Sequence, residues 1–177
     1  MWRHMKVLTD VQCQTWFATH GVKFLSDEHL SLPSEGLVRH FPIPTQSRTQ
    51  LVLSHKLAQW LDFPESLLWM SVWTAYEPDE MELFLRFRRQ YDSERHSLIN
   101  ARGHLFDQKN DQEVDTMAEV VLFMMAFNWE GYLISSDLQC VIWMADEIIQ
   151  TVVQDREKDL EMLKLFTGLA IEQIADM

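Results

Sequence analysis

Capping signals and hydrophobic spacing along the chain predict about five helices and about four strands. Thr9-Asp10-Val11-Gln12 has the capping-box spacing, and Leu8 and Cys13 fall at the hydrophobic-staple positions around it. The spacing predicts a first helix from there to Gly21, which reads as its αL stop. After Gly36, LVRHFPIP reads as a short strand ended by Pro42 and Pro44. A second helix is expected near Ser47, partnered by Gln50, with Leu53, Leu57, Trp60 and Leu61 on one face and Phe63-Pro64 as its end. SLLWMSVWTAY, residues 66–76, is apolar on both faces and reads as a central strand.

Pro78, Asp79, Glu80 and Glu82 form an acidic first turn for a third helix. In it Phe84, Phe87 and Tyr91 share a face, and Glu82 can pair with Arg86. ARGHLFD reads as an extended connector. Asn110 then caps a fourth helix, with Glu113 at its third position and Val114, Met117, Val121 and Met124 as the inner stripe. GYLIS and CVIWMA, separated by a short polar stretch, read as adjacent strands in hairpin order. The last helix begins near Asp155 and carries Leu163, Phe166, Ala170 and Ile174 on one side. No internal repeat or linker interrupts the chain, so residues 1–177 are read as one domain. The expected class is α/β (or α+β): a small mixed or antiparallel sheet of about four strands packed with about five helices.

Composition sharpens this reading. A chain of 177 residues, 47% hydrophobic and with seven Trp, has the means to bury a core. The longest apolar run, Val120 to Phe127, has eight residues, far short of the roughly 20 a membrane helix needs. The start, MWRHMKVLTDVQ, lacks the apolar core of a secretory signal. Cys13 and Cys140, far apart and outside any metal-type spacing, fit a reducing compartment, and a cytoplasmic location is expected.

The net charge of −12 is distributed unevenly. Residues 1–75 hold six acids and six bases, and residues 76–106 six acids and five bases, all Arg. Residues 107–177 hold fifteen acids and four bases, with no base between Lys109 and Arg156. Such a segment repels nucleic acid and anionic membrane and attracts basic proteins. Asp111, Asp115 and Glu119 lie four apart on one helix face, where like charges cost a few tenths of a kcal/mol per pair. Folding does not require that arrangement. Acidic surface that merely maintains solubility accounts for it equally well. The arginines Arg86, Arg88, Arg89, Arg95 and Arg102 could grip an anion, but pairing within the chain fits their nearly neutral surroundings better.

Catalytic chemistry finds little footing. Asp146 and Glu147 interrupt the apolar run CVIWMADEIIQTVV. On a strand they would diverge, and at a helix start they would sit about 100° apart. Neither geometry focuses two carboxylates on one atom, and surface acids at the end of an element describe them better. The seven histidines show no zinc-type spacing, no Gly-rich phosphate loop or nucleophile elbow occurs, and no metal or cofactor is expected. His104, in Gly-His-Leu-Phe, reads first as a half-buried histidine holding a carbonyl. As a general base it would need Asp146 or Glu147 within reach.

GHLF, the acidic helix after it, FNWEGYLIS and ADE together resemble a pattern seen in small bacterial α/β proteins, over about residues 67–150. That pattern usually carries Trp-Asp and His-Asp-Glu where Glu130 and Ala145 stand here, which argues against a catalytic His–Asp–Glu set. In size and acidity the chain is also similar to immunity proteins of bacterial toxin systems. The resulting expectation is a non-enzymatic protein that binds a basic partner, most concretely a toxin, through Asp111, Asp115, Glu119, Glu130, Asp137, Asp146 and Glu147. The competing readings are a small enzyme using His104 with Asp146 and Glu147, and a homodimer. The homodimer would use a second apolar stripe on the last helix, Met162, Leu165 and Leu169.

Overall fold

The computed structural model describes residues 5–26, 29–31, 35–61, 64–72, 78–91, 101–107 and 110–174. Its elements are β1 (Lys6–Leu8), α1 (Asp10–His20), β2 (Lys23–Phe24), β3 (Leu30–Ser31), β4 (Leu37–Pro42), α2 (Ser47–Trp60) and β5 (Glu65–Val72). They continue with α3 (Pro78–Tyr91), β6 (Gly103–Asp107), α4 (Asp111–Ala126), β7 (Glu130–Ser135), β8 (Cys140–Ala145), β9 (Ile148–Val153) and α5 (Arg156–Thr167). Seven strands form one sheet in the order β1-β6-β5-β7-β8-β9-β4, and β2 pairs with β3 separately. Every pairing is antiparallel. The class is mixed α/β with five helices among the described residues, and the sheet has three strands more than the four expected.

The added strands have identifiable causes. ARGHLFD is no connector: its last five residues are β6, paired on both sides by β1 and β5. Gly103 and His104 dilute its apolar pattern, yet both are buried. Gly103 is required there, because a Cβ at this position would overlap the Cys13 sulfur and press on Leu8. CVIWMADEIIQTVV is two strands, β8 and β9, with Asp146-Glu147 as a two-residue turn between the paired Ala145 and Ile148. Three-residue β1 is too short to carry a periodic signal.

Successive side chains of the central strands feed two cores. Leu68, Met70, Leu133, Ile142 and Ile149 face the larger core, which α2, α4 and α5 cover with Leu57, Met117 and Phe166. Leu67, Trp69, Tyr132, Ile134 and Val141 face a smaller core closed by Cys13, Trp16 and Phe17 of α1 and Leu30 of β3. This two-sided burial explains the near-continuous apolar runs of β5 and β8.

The helix ends follow the local sequence closely. Thr9 and Gln12 form the reciprocal capping box, and Gly21 closes α1 at φ 75°. Asn110 caps α4 by accepting from the Gln112 amide. Buried Glu113 reaches back to accept from the Asp107 amide at 2.6 Å, tying α4 to β6. At α2 the expected Ser47–Gln50 box does not form: Gln46 is the cap position, and the Gln50 side chain donates from Nε2 to the Pro44 carbonyl at 2.8 Å instead. Phe63 and residues 73–77 lie outside the described residues, as does the side chain of Tyr91.

α5 starts at Asp155, whose carboxylate accepts from the Glu157 and Lys158 amides, and it ends sooner than its pattern suggests. Ala170 takes φ 55° while the Ile171 amide donates to the Phe166 carbonyl, a Schellman-type end without glycine. Beyond it Ile174 donates to the His40 carbonyl on β4. The stripe that suggested a dimer packs inside this chain: Met162 is fully buried, and Leu165 and Leu169 lie against the larger core.

Arg39 of β4 grips Asp159 of α5 with two hydrogen bonds of 2.6 Å, and Asp159 is 1% exposed. Arg39→Met strands that carboxylate and is expected to lower stability by about 3 kcal/mol, with Arg39→Met/Asp159→Leu recovering much of the loss. Ala170→Gly relieves the left-handed residue and should add about 1 kcal/mol. Urea unfolding of the four chains checks both expectations.

Candidate functional site

All seven acids singled out from the sequence are at least partly exposed, but the strands distribute them over separate places. Glu130 opens β7, one residue beyond the Gly131–Met144 pair that aligns β7 with β8. It therefore shares an end of the sheet with the Asp146-Glu147 turn. Asp137 lies at the far end of β8, about 20 Å away along a six-residue strand. Asp111, Asp115 and Glu119 form an exposed row on the outer side of α4, and the Asp115 carboxylate lies 3.9 Å from His55 Nδ1. Asp137 has a structural use, since its carboxylate accepts from Ser135 Oγ at 2.7 Å and from the Gln139 amide at 3.1 Å.

The turn itself departs from ordinary turn chemistry. Asp146 has φ 50° and Glu147 φ 63°, the pattern of a type I′ hairpin, where Asn-Gly is the favoured pair. Glu147 is poorly suited to this backbone, and the turn is further held by the Ile43 amide, which donates to the Glu147 carbonyl at 2.7 Å. Both side chains point away from the core and are exposed.

His104 is fully buried on the helix-covered face of β6, its ring 6.1 Å from that of Phe84. β5 and β7 stand between β6 and β8, which sets His104 about 14 Å from β8 across the sheet and farther still from the turn beyond it. The structure does not bring His104, Asp146 and Glu147 together. Among the described residues no group of three His, Cys, Asp or Glu has the arrangement to hold a metal ion, and no helix is long and apolar enough to cross a membrane.

Two of the clustered arginines pair within the chain. Arg86 meets Glu82 on the exposed side of α3, and Arg102 meets Asp10 at 3.3 Å. The side chain of Arg88, and all of Arg95, lie outside the described residues.

Arg102 leads to a feature that the sequence did not announce. A cleft of about 670 Å³ runs beside α1, bounded by Asp10 and Arg102 at one end and Val22 and Phe24 at the other. Phe17 and Trp69 form its floor with Cys13, their rings meeting edge to face at 5.4 Å. The Arg102 guanidinium donates to the Ser71 carbonyl at 2.8 Å and lies 6.0 Å from the Trp69 ring centre. Burial above all, with Asp10 adding to it, pushes the Cys13 thiol up to about 12, so it stays neutral and serves as an apolar wall. These residues are scattered over ninety positions and no local motif links them.

Comparison with protein-family models, with curated proteins and with solved structures finds no match. The functional reading therefore rests on the chain's own geometry and charge.

Burial likewise pushes the Cys140 thiol up to about 12, partly countered by Lys158. Both cysteines are buried and unpaired with each other. The native protein is expected to leave a thiol-specific disulfide reagent almost unreacted at pH 8, and to release both thiols once denatured. Rapid reaction of either thiol in the folded chain would contradict the burial.

Proposed function

We propose that this chain is a non-enzymatic binding protein of the immunity type, which engages a basic protein, such as a toxin, through acidic surface centred on the hairpin tip. The observation that carries the reading is the Asp146-Glu147 turn. Two L-residues with charged side chains occupy positive-φ positions that Asn-Gly would fill with less strain. Local rules broken without structural gain are a mark of positions held for another purpose.

Glu130 adds a third carboxylate at the same end of the sheet, and the α4 row Asp111, Asp115 and Glu119 extends the negative field. Asp137, occupied in building its own turn, contributes charge but no preferred contact. Residues 107–177 carry fifteen acids against four bases, a field that steers a basic partner toward the surface and accelerates association. The same field disfavours nucleic acid and anionic membrane. Neither His104, sealed in the core, nor the α5 stripe, packed on it, supplies a specific observation in favour of an enzyme or a homodimer.

The test begins with capture of partners on the whole chain from its native host, joined to sequencing of the genes beside its own. The expected partner is a basic protein encoded next door. Asp146→Asn/Glu147→Gly then separates folding from binding. The variant should be more stable, because the turn is better, and should associate several-fold more slowly at low salt. The difference should narrow at physiological ionic strength, where the Debye length is about 8 Å. A partner that is not basic, or an on-rate unchanged at low salt, would overturn the proposal.

A further inference from the structure

The cleft beside α1 joins two kinds of surface that ordinarily select one kind of molecule. At its polar end the Asp10 and Arg102 side chains are 36% and 28% exposed and touch at 3.3 Å. Arg102 places Nε and Nη2 on Asp10 and Nη1 on Ser71. A guanidinium has five N–H groups, so two remain to donate, and each carboxylate oxygen keeps a lone pair. At the other end Val22 and Phe24 give an apolar wall, and Phe24 is 41% exposed.

A simple anion at the polar end meets Asp10 and a chain of net charge −12. A simple cation meets Arg102. A neutral apolar molecule uses the wall and leaves both charges idle. A molecule with a carboxylate and an ammonium on one carbon presents opposite charges at the spacing of a contact pair, and extends its side chain from the same carbon. The cleft volume of about 670 Å³ lies within the range of small-molecule sites, roughly 300–1,000 Å³.

We infer that this cleft binds a free α-amino acid with a large apolar side chain, its carboxylate on Arg102, its ammonium on Asp10 and its side chain along Val22 and Phe24. The inference does not depend on the acidic-surface reading, since none of these residues belongs to that surface.

Calorimetric titration of the whole chain with L-phenylalanine tests it, alongside phenethylamine and 3-phenylpropionate, which each lack one of the two charges. L-phenylalanine is expected to bind, and each analogue to bind at least about tenfold more weakly, the weight of one charge-assisted hydrogen bond. Arg102→Met should erase the preference for L-phenylalanine over phenethylamine. Because Arg102 also holds the Ser71 carbonyl, a second variant leaves that contact intact: Gln14→Trp, at an exposed α1 position lining the cleft, should abolish binding with the circular dichroism spectrum unchanged. Absence of heat with both L-phenylalanine and L-leucine at millimolar concentration would overturn the inference. So would equal binding of either analogue, or binding that survives Gln14→Trp.

Discussion

The grip of Arg39 on Asp159 is the constraint around which one half of the molecule is organised. A carboxylate 1% exposed needs its charge answered inside the protein, and the Arg39 fork answers it with two hydrogen bonds of 2.6 Å. Those bonds in turn raise the Arg39 pKa above its ordinary value, against a smaller effect of burial. The pair fixes the first turn of α5 over the edge strand β4. About two turns farther on, Phe41 and Phe166 stack at 3.8 Å and continue the same seam. The chain beyond α5 closes over it, with Gln173 accepting from Arg39 and Ile174 donating to His40. Among the described residues β4 has only β9 as a strand neighbour, and its exposed Leu37 and Val38 add little burial, so this seam joins the β4–β9 ladder in holding the sheet's edge in place.

Much of the fold could be read from local chemistry. The α1 capping box, the Asn110 cap, the β7–β8 hairpin and the buried β5 each carried a signal within a dozen residues. What escaped was either short, like β1 and the β2–β3 pair, or disguised. β6 was hidden by a glycine that lets α1 approach and by a histidine buried where an apolar residue is usual. β9 was hidden because its turn uses Asp-Glu where glycine or asparagine would have announced a hairpin. Among the described residues five non-glycines take positive φ, Asn128, Leu138, Asp146, Glu147 and Ala170, which shows why turn signals were sparse in a chain with only five glycines.

The candidate sites divide along the same line. Exposure of the acids follows from their charge, and was legible. Their grouping was not, because it depends on which strand ends coincide: Glu130 and the 146–147 turn meet through the β7–β8 register, while Asp137 is carried to the opposite end. The cleft was wholly illegible. Asp10, Trp69 and Arg102 come from three elements distant in sequence, and only the sheet order that sets β6 beside β5 assembles them.

The sheet order also governs when the molecule can come into being. β1 pairs with β6 across Lys6–Leu105, and β4 pairs with β9 across Leu37–Val153, so each outermost strand waits for a partner made roughly a hundred residues later. Such long loops close slowly compared with local hairpins. During synthesis the central meander β7–β8–β9 is the last group of strands to emerge, and Arg39 has no carboxylate to hold until Asp159 follows. A growing chain at five to twenty residues per second, typical of ribosomes, would keep β4 an open strand edge for several seconds. Unpaired edges of that kind are what chaperones recognise and what neighbouring nascent chains can pair with. For this topology the vulnerable period is the interval on the ribosome between the emergence of β4 and that of β9 and Asp159, well before the finished protein meets anything it binds.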